Sequence, residues 1–229
     1  MPSMPDEIGP TRTGSPPQET SPYLTLIFDF DGTIADTLSA IIRLVNEHAE
    51  EFHIKPLAET DVDELRGMSN LDIIKKYKVP LVKVPYLALR AQKELNQRIG
   101  EMSLFPGVKE LVLDLKRRGI RLGILTSNSR ENVRKFLMAQ NLDVFDFIHA
   151  EQNFFGKNWA LLHLLKKFNL KKEEVIYAGD EVRDIEACQK VNIAVIAVSW
   201  GFHRRKLLQD KRPTYLVDAP DEIRAIVAG

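Results

Sequence analysis

A doubly wound α/β fold on a parallel sheet is predicted by three features of the chain. Apolar, partly β-branched runs of strand length alternate with segments of helical periodicity from residue 25 to the end. The residues with chemical potential fall where those strands stop. One long stretch, residues 37–104, breaks the alternation with helical patterns alone. Strand and helix in repeated alternation give a parallel sheet covered on both faces, with its site beyond the carboxyl ends of the strands.

The predicted strands are 25–30, 121–127, 145–150, 174–180, 194–200 and, with a fainter pattern, 215–218. Between them the spacing predicts helices over 108–118, 130–140, 158–168 and 182–191. The first is opened by Pro106-Gly107 and closed by Gly119, a residue type suited to ending a helix. Within 37–104 the helical patterns cover 38–51, 70–78 and 84–99, and Thr60-x-x-Asp63 reads as a capping box opening a short helix. A helical bundle inserted after the first strand would lie over the carboxyl ends of the sheet, as a lid or simply as a second packing layer.

Composition sets outer limits. At 229 residues the chain is one domain, or one domain with an insertion. Its 32 basic and 32 acidic residues balance, which argues against a nucleic acid or a membrane surface as partner. The single Cys188 allows no intrachain disulfide and suits the cytoplasm, with a packing role in its helix. No apolar run approaches the roughly 20 residues that span a bilayer. Residues 1–22 hold Pro2, Pro5, Pro10, Pro16, Pro17 and Pro22 with almost nothing apolar, and are expected to form a disordered tail without an apolar signal region.

The richest stretch is Asp29-Phe30-Asp31-Gly32-Thr33, at the end of the first strand. Two carboxylates spaced i, i+2 on a strand share a face, and crowding them calls for a positive partner such as a divalent metal with a phosphate. Gly32 lets backbone amides turn toward an anion. Taken alone, the same residues read equally well as a strand end and a turn. Thr126-Ser127-Asn128-Ser129 places hydroxyls before a helix, as an anion site or an ordinary N-cap. Gly156-Lys157 puts a cation at a helix N-terminus, against the macrodipole, which implies a carboxylate or phosphate partner. Gly179-Asp180-Glu181-Val182-Arg183-Asp184 gathers acids on a turn, either as oxygen donors for Mg²⁺ or as a solvated helix cap.

The order and spacing of these motifs resemble those of the haloacid dehalogenase-like phosphohydrolase superfamily, from residue 24 to about 219. The helical insertion and the Trp200-Gly201-Phe202 turn resemble its phosphoglycolate-phosphatase-like branch. The resemblance implies a Rossmann-like core, residues 23–36 and 105–229, with an inserted small helical-bundle cap, residues 37–104. It implies Asp29 as nucleophile forming an aspartyl-phosphate and Asp31 as general acid and base. Thr33, Ser127, Asn128 and Lys157 would serve the phosphate. Mg²⁺ would lie among Asp29, the Asp31 carbonyl and Asp180, with Glu181 and Asp184 in support. The acid at Asp31 favours phosphate over halide chemistry, because an alkoxide leaving group needs a proton. Arg66, in the loop Leu65-Arg66-Gly67-Met68-Ser69, would grip a substrate oxygen, although an exposed arginine beside a turn reads the same way.

A phosphatase for small phosphorylated metabolites is the leading expectation, as a monomer or a homodimer. A phosphosugar mutase and a non-enzymatic binding protein on the same fold are the alternatives.

Overall fold

The computed structural model describes residues 21–52, 55–68, 73, 75–76, 81–151 and 156–229. Residues 1–20 of the expected tail, most of the 70–78 helix, Ser69 and Phe155 lie outside the described residues.

Six strands form one sheet: β1 (Thr25–Phe28), β2 (Arg121–Thr126), β3 (Phe147–Ala150), β4 (Val175–Gly179), β5 (Ala194–Val198) and β6 (Tyr215–Val217). Their order is β3-β2-β1-β4-β5-β6, and every pairing is parallel. The chain runs outward from β1 to β3, then returns to the other side of β1 with β4. That reversal puts the switch point between β1 and β4, where open sheets of this kind leave a crevice.

Alternation along the strands feeds two separate apolar layers. Leu26 and Phe28 of β1 pack on one face with Val108, Leu111 and Leu115 of α5 (Val108–Arg117) and Val133, Phe136 and Leu137 of α6 (Arg130–Ala139). On the other face Ile27 meets Leu161 and Leu164 of α7 (Lys157–Lys167) and Ile185, Cys188 and Val191 of α8 (Val182–Val191). Each fully buried aliphatic or aromatic side chain in such layers contributes roughly 1.5–3 kcal/mol against exposure. Cys188 is fully buried there, and burial pushes its thiol far above the ordinary range.

Two further helices, α9 (Arg205–Gln209) and α10 (Pro220–Ala228), lie beyond the sequence expectation. Proline opens α10, where its missing N–H costs nothing, and Glu222 accepts the N–H groups of Asp218 and Ala219.

Between β1 and α5 the described residues contain only helices: α1 (Thr37–Glu47), α2 (Ala49–Phe52), α3 (Glu59–Leu65), α4 (Val84–Gln97) and short 3₁₀ turns. Asp36 caps α1 by accepting the Ser39 N–H at 3.1 Å. The capping box expected at Thr60 and Asp63 lies elsewhere: α3 starts at Glu59, and Asp61 accepts the Ala58 N–H at 2.9 Å. The ends of this helical segment meet. Ala35 bridges Leu104 antiparallel, Asp36 N–H donates to Ser103, and Phe105 N–H donates to Ile34. Among the described residues no helix is long and apolar enough to cross a membrane.

Candidate active site

β1 ends at Phe28, two residues short of expectation, so Asp29 and Asp31 stand on the loop beyond it rather than alternating along a strand. The loop folds back on itself: the Phe30 carbonyl accepts the N–H groups of Ile34 and Ala35, each at 3.0 Å. Asp29 stays in line with the sheet through its N–H, which donates to Ala178 of β4 at 2.8 Å. Its carboxylate accepts the Phe30 N–H at 2.8 Å and pairs with Lys157 Nζ at 2.6 Å.

Lys157 is the first residue of α7, and Gly156 before it holds φ +88. Besides Asp29 it pairs with Asp184, which is completely buried and whose second oxygen accepts the Glu181 N–H at 2.9 Å. The cation that sits against its own helix dipole therefore has two carboxylate partners from other elements. Burial works against the charge on Lys157, yet Asp184 and Asp29 outweigh it and hold the ammonium more firmly protonated than usual.

Asp180 follows β4 directly and is 0% exposed. Thr33 Oγ1 donates to it at 2.8 Å and Phe202 N–H at 2.6 Å. Thr33, expected to face a phosphate, thus spends its hydroxyl on Asp180, and its carbonyl accepts Trp200 Nε1 at 3.1 Å. Gly32 and Gly201 close this cradle. A Cβ on either would come within 2.2 Å of an Asp180 carboxylate oxygen, and Gly32 also holds φ +80. The turn Trp200-Gly201-Phe202 is thus a structural clamp on Asp180, a role that sequence spacing alone does not reveal.

Carboxylate oxygens of Asp29, Asp180 and Asp184 all lie within 4.8 Å of one another. Burial raises Asp29 to about 6, with Lys157 opposing and Asp184 adding to the rise. Burial and then the nearby Asp29 raise Asp31 to about 6, while the polar Asn128 side chain and the Lys157 charge nearby oppose the shift. Asp180 is pushed well above the ordinary carboxylate range by burial, then by Asp29 and Asp184. Glu181 is raised by burial, with its ion-pair partner Arg183 at 2.5 Å opposing. A buried, all-oxygen donor set with this surplus of negative charge fits a hard divalent cation such as Mg²⁺.

Ser127 is exposed just after β2, and Asn128 beside it has its backbone N–H bonded to Thr126 Oγ1 at 2.9 Å. A cavity of about 280 Å³ opens between the sheet and the helical segment. Asp31, Ser127, Asn128 and Phe202 line it from the sheet side, and Thr37, Ile41, Leu95, Asn96, Ile99 and Met102 from the segment side. The contribution of Asn96 and Met102 carried no signal in the sequence.

Arg66 departs from expectation. Its Nε donates to the Gly201 carbonyl at 2.7 Å and an Nη to the Ser199 carbonyl at 2.5 Å. The Arg66 carbonyl in turn accepts the Arg204 N–H at 2.9 Å. These bonds fasten the helical segment to the loop that clamps Asp180.

Comparison with known proteins agrees with this arrangement. A phosphoglycolate phosphatase of Synechococcus elongatus is 36% identical over 199 residues, covering 86% of this chain and 94% of that protein. The pyrophosphatase PpaX of Bacillus mycoides is 26% identical over 213 residues, covering 89% and 96%. A haloacid dehalogenase-like hydrolase from Streptococcus pneumoniae superposes with a TM-score of 0.74 at 22% identity, over 89% of this chain and 98% of that one. The profile of the haloacid dehalogenase-like hydrolases matches residues 26–198, which takes in the sheet from β1 through β5 and all the buried carboxylates. The chain belongs to the haloacid dehalogenase-like hydrolase family.

Proposed function

We propose that this protein is a Mg²⁺-dependent phosphatase that hydrolyses small phosphate monoesters, phosphoglycolate-like esters first among them, through an aspartyl-phosphate. The observation that carries the reading is the buried Asp29–Lys157 pair at 2.6 Å, set beside Asp31, which lines the cavity.

Asp29 supplies the nucleophilic oxygen. Lys157 keeps it ionised against the pull of burial and offsets charge on the incoming phosphoryl group. As the bond between Asp29 and phosphorus forms, the bond to the ester oxygen breaks, and Asp31 gives its proton to the departing alkoxide. The Asp31 carboxylate then takes a proton from water while the water oxygen attacks phosphorus, which releases Asp29 and inorganic phosphate. A pKa of about 6 lets Asp31 hold or yield that proton near neutrality. Ser127, exposed at the cavity wall, would donate to the phosphoryl oxygens, helped by Asn128 beside it. Asp29, Asp180 and the Asp31 carbonyl would hold Mg²⁺, which would neutralise charge on the phosphoryl oxygens; Asp184 anchors Lys157.

The helical segment 37–104 serves as the cap, and its side of the cavity sets substrate size. At about 280 Å³ the space lies at the lower edge of the range of roughly 300–1,000 Å³ usual for small-molecule pockets, which suits compact esters. Among the described residues that line the segment side, only Thr37 and Asn96 offer polar side chains to hold a sugar in two orientations, which disfavours a mutase.

Release of inorganic phosphate from phosphoglycolate, hexose phosphates, nucleoside monophosphates and pyrophosphate, with Mg²⁺ and with chelator, tests the reading. Metal-dependent release with phosphoglycolate ahead is expected. Pyrophosphate ahead would move the substrate to an anhydride, and no release from any substrate by folded protein would overturn the enzyme assignment.

A further inference from the structure

A second group of metal-ligating side chains lies away from the catalytic carboxylates. His149, near the end of β3, and Glu151, two residues on, meet His163 from the middle of α7. His149 Nε2 lies 2.9 Å from Glu151 Oε2, and His163 Nδ1 lies 3.2 Å from the same oxygen. All three donor atoms fall within 4.8 Å of one another. A tetrahedral ion with bonds of about 2.0–2.1 Å sets its ligands about 3.3–3.4 Å apart, so small side-chain movements bring these donors onto one centre.

The surroundings suit such a centre. His149 is 4% exposed, and its ring stands edge-on to His163 at 5.2 Å and to Phe168 at 6.4 Å, which fixes its direction. The His163 side chain is 61% exposed, so an ion can reach it from solvent. Glu151 also lines a cavity of about 290 Å³ with Ser127, Lys157 and Arg183, where water can complete a coordination shell. Two imidazoles and one carboxylate are the donors of a borderline transition cation; Mg²⁺ prefers oxygen throughout.

We propose that His149, Glu151 and His163 form a site for one transition-metal ion of the Zn²⁺ class, separate from the catalytic centre. Ligation there ties the end of β3 to α7, the helix whose first residue is Lys157. Such an ion braces the helix that carries Lys157.

The test is a titration of the full chain with Co²⁺ and with Zn²⁺ in millimolar Mg²⁺. One equivalent of Co²⁺ is expected to give the visible absorption of a four- or five-coordinate ion and to shift the imidazole signals of His149 and His163, leaving His48 and His203 in place. Zn²⁺ should raise Tm in step with occupancy. The exposed His163→Ala should weaken binding at least tenfold, and Glu151→Gln should do the same with less change in shape. Asp180→Asn should bind as the parent does. Three outcomes would overturn the site: no uptake beside Mg²⁺, uptake indifferent to His163→Ala, or uptake lost in Asp180→Asn. The first would leave Glu151 as a hydrogen-bonded bridge between two imidazoles, and the last would assign the ion to the catalytic carboxylates.

Discussion

The sheet with its flanking helices and the helical segment from residue 37 to 101 are held by different forces. In the former, Leu26, Ile27, Phe28, Leu122, Ile124, Ile176 and Tyr177 are each at most 1% exposed, and apolar contact does the holding. In the latter, among the described residues, polar contacts tie α1, α2 and α4 through residues in or beside them: ion pairs Arg98–Glu47 at 2.7 Å and Arg90 with Glu51, and a His48–Glu94 hydrogen bond at 2.8 Å. Partly exposed ion pairs contribute about 0–1 kcal/mol each and weaken with salt, whereas packed layers do not. Atoms that must hold position during chemistry are fixed to the rigid part. Those that shape the space above them hang from contacts that can loosen.

Asp29→Asn puts that division to its hardest test. Removing the proposed nucleophile from the rigid part should lower turnover by at least about 10³-fold while circular dichroism stays native. The same variant carries a pH signature. Burial lifts Asp29 from the ordinary carboxylate range near 4 to about 6, so the folded state holds a proton that the unfolded state has lost. Its contribution to stability is therefore full at low pH and falls as pH rises from about 4 through 6. Relative to Asp29→Asn, the metal-free parent should lose Tm across that window, and Mg²⁺ should restore it above pH 6. A parallel pair of curves would show that Asp29 is not strained by burial.

Next in size is Lys157→Met, which strips the buried Asp29 and Asp184 of their cation. Breaking a buried pair from one side costs about 3–5 kcal/mol, and Asp184→Asn on top should recover part of it. A loss below about 1 kcal/mol by chemical denaturation would count against a buried charge cluster.

Arg66→Ala acts on the joint between the two regions. It removes hydrogen bonds to the Ser199 and Gly201 carbonyls, at about 0.5–1.5 kcal/mol each. Hydrogen exchange should quicken in the helical segment while β1 and β4 stay protected, and KM should rise more than kcat falls. Equal quickening in both regions would erase the distinction drawn between them.

Arg90→Ala should do least, with a fall in Tm smaller than that of Arg66→Ala and none at 1 M salt. A larger, salt-independent loss would mean that the segment is held by packing after all.

The sheet was legible in the sequence because parallel strands buried on both faces read as unbroken apolar runs. Their ends were not. Phe145, expected in β3, instead packs edge-on to Phe28 at 6.2 Å, a contact that no local pattern announces. The residues of the site were legible as types at spacings, but their partners were not. Thr33 meets Asp180, 147 residues away, and Arg66 meets Gly201, 135 residues away. Local sequence gives Arg66 a loop and a charge; only the tertiary fold gives it two carbonyls. The short helices α9 and α10 passed unnoticed because α9 buries only Leu208 and α10 only Ile223 and Val227, too few for a clear period.

The pairing of Ala35 with Leu104 bears on how such an enzyme can change its diet. The chain leaves the sheet layer and rejoins it at a single stitch, two hydrogen-bonded neighbours apart in space though 69 positions apart in number. Whatever is looped out at that stitch can lengthen, shorten or be exchanged with little demand on the strands below. The chemistry and the choice of substrate can thus evolve as separate parts, one kept and the other replaced.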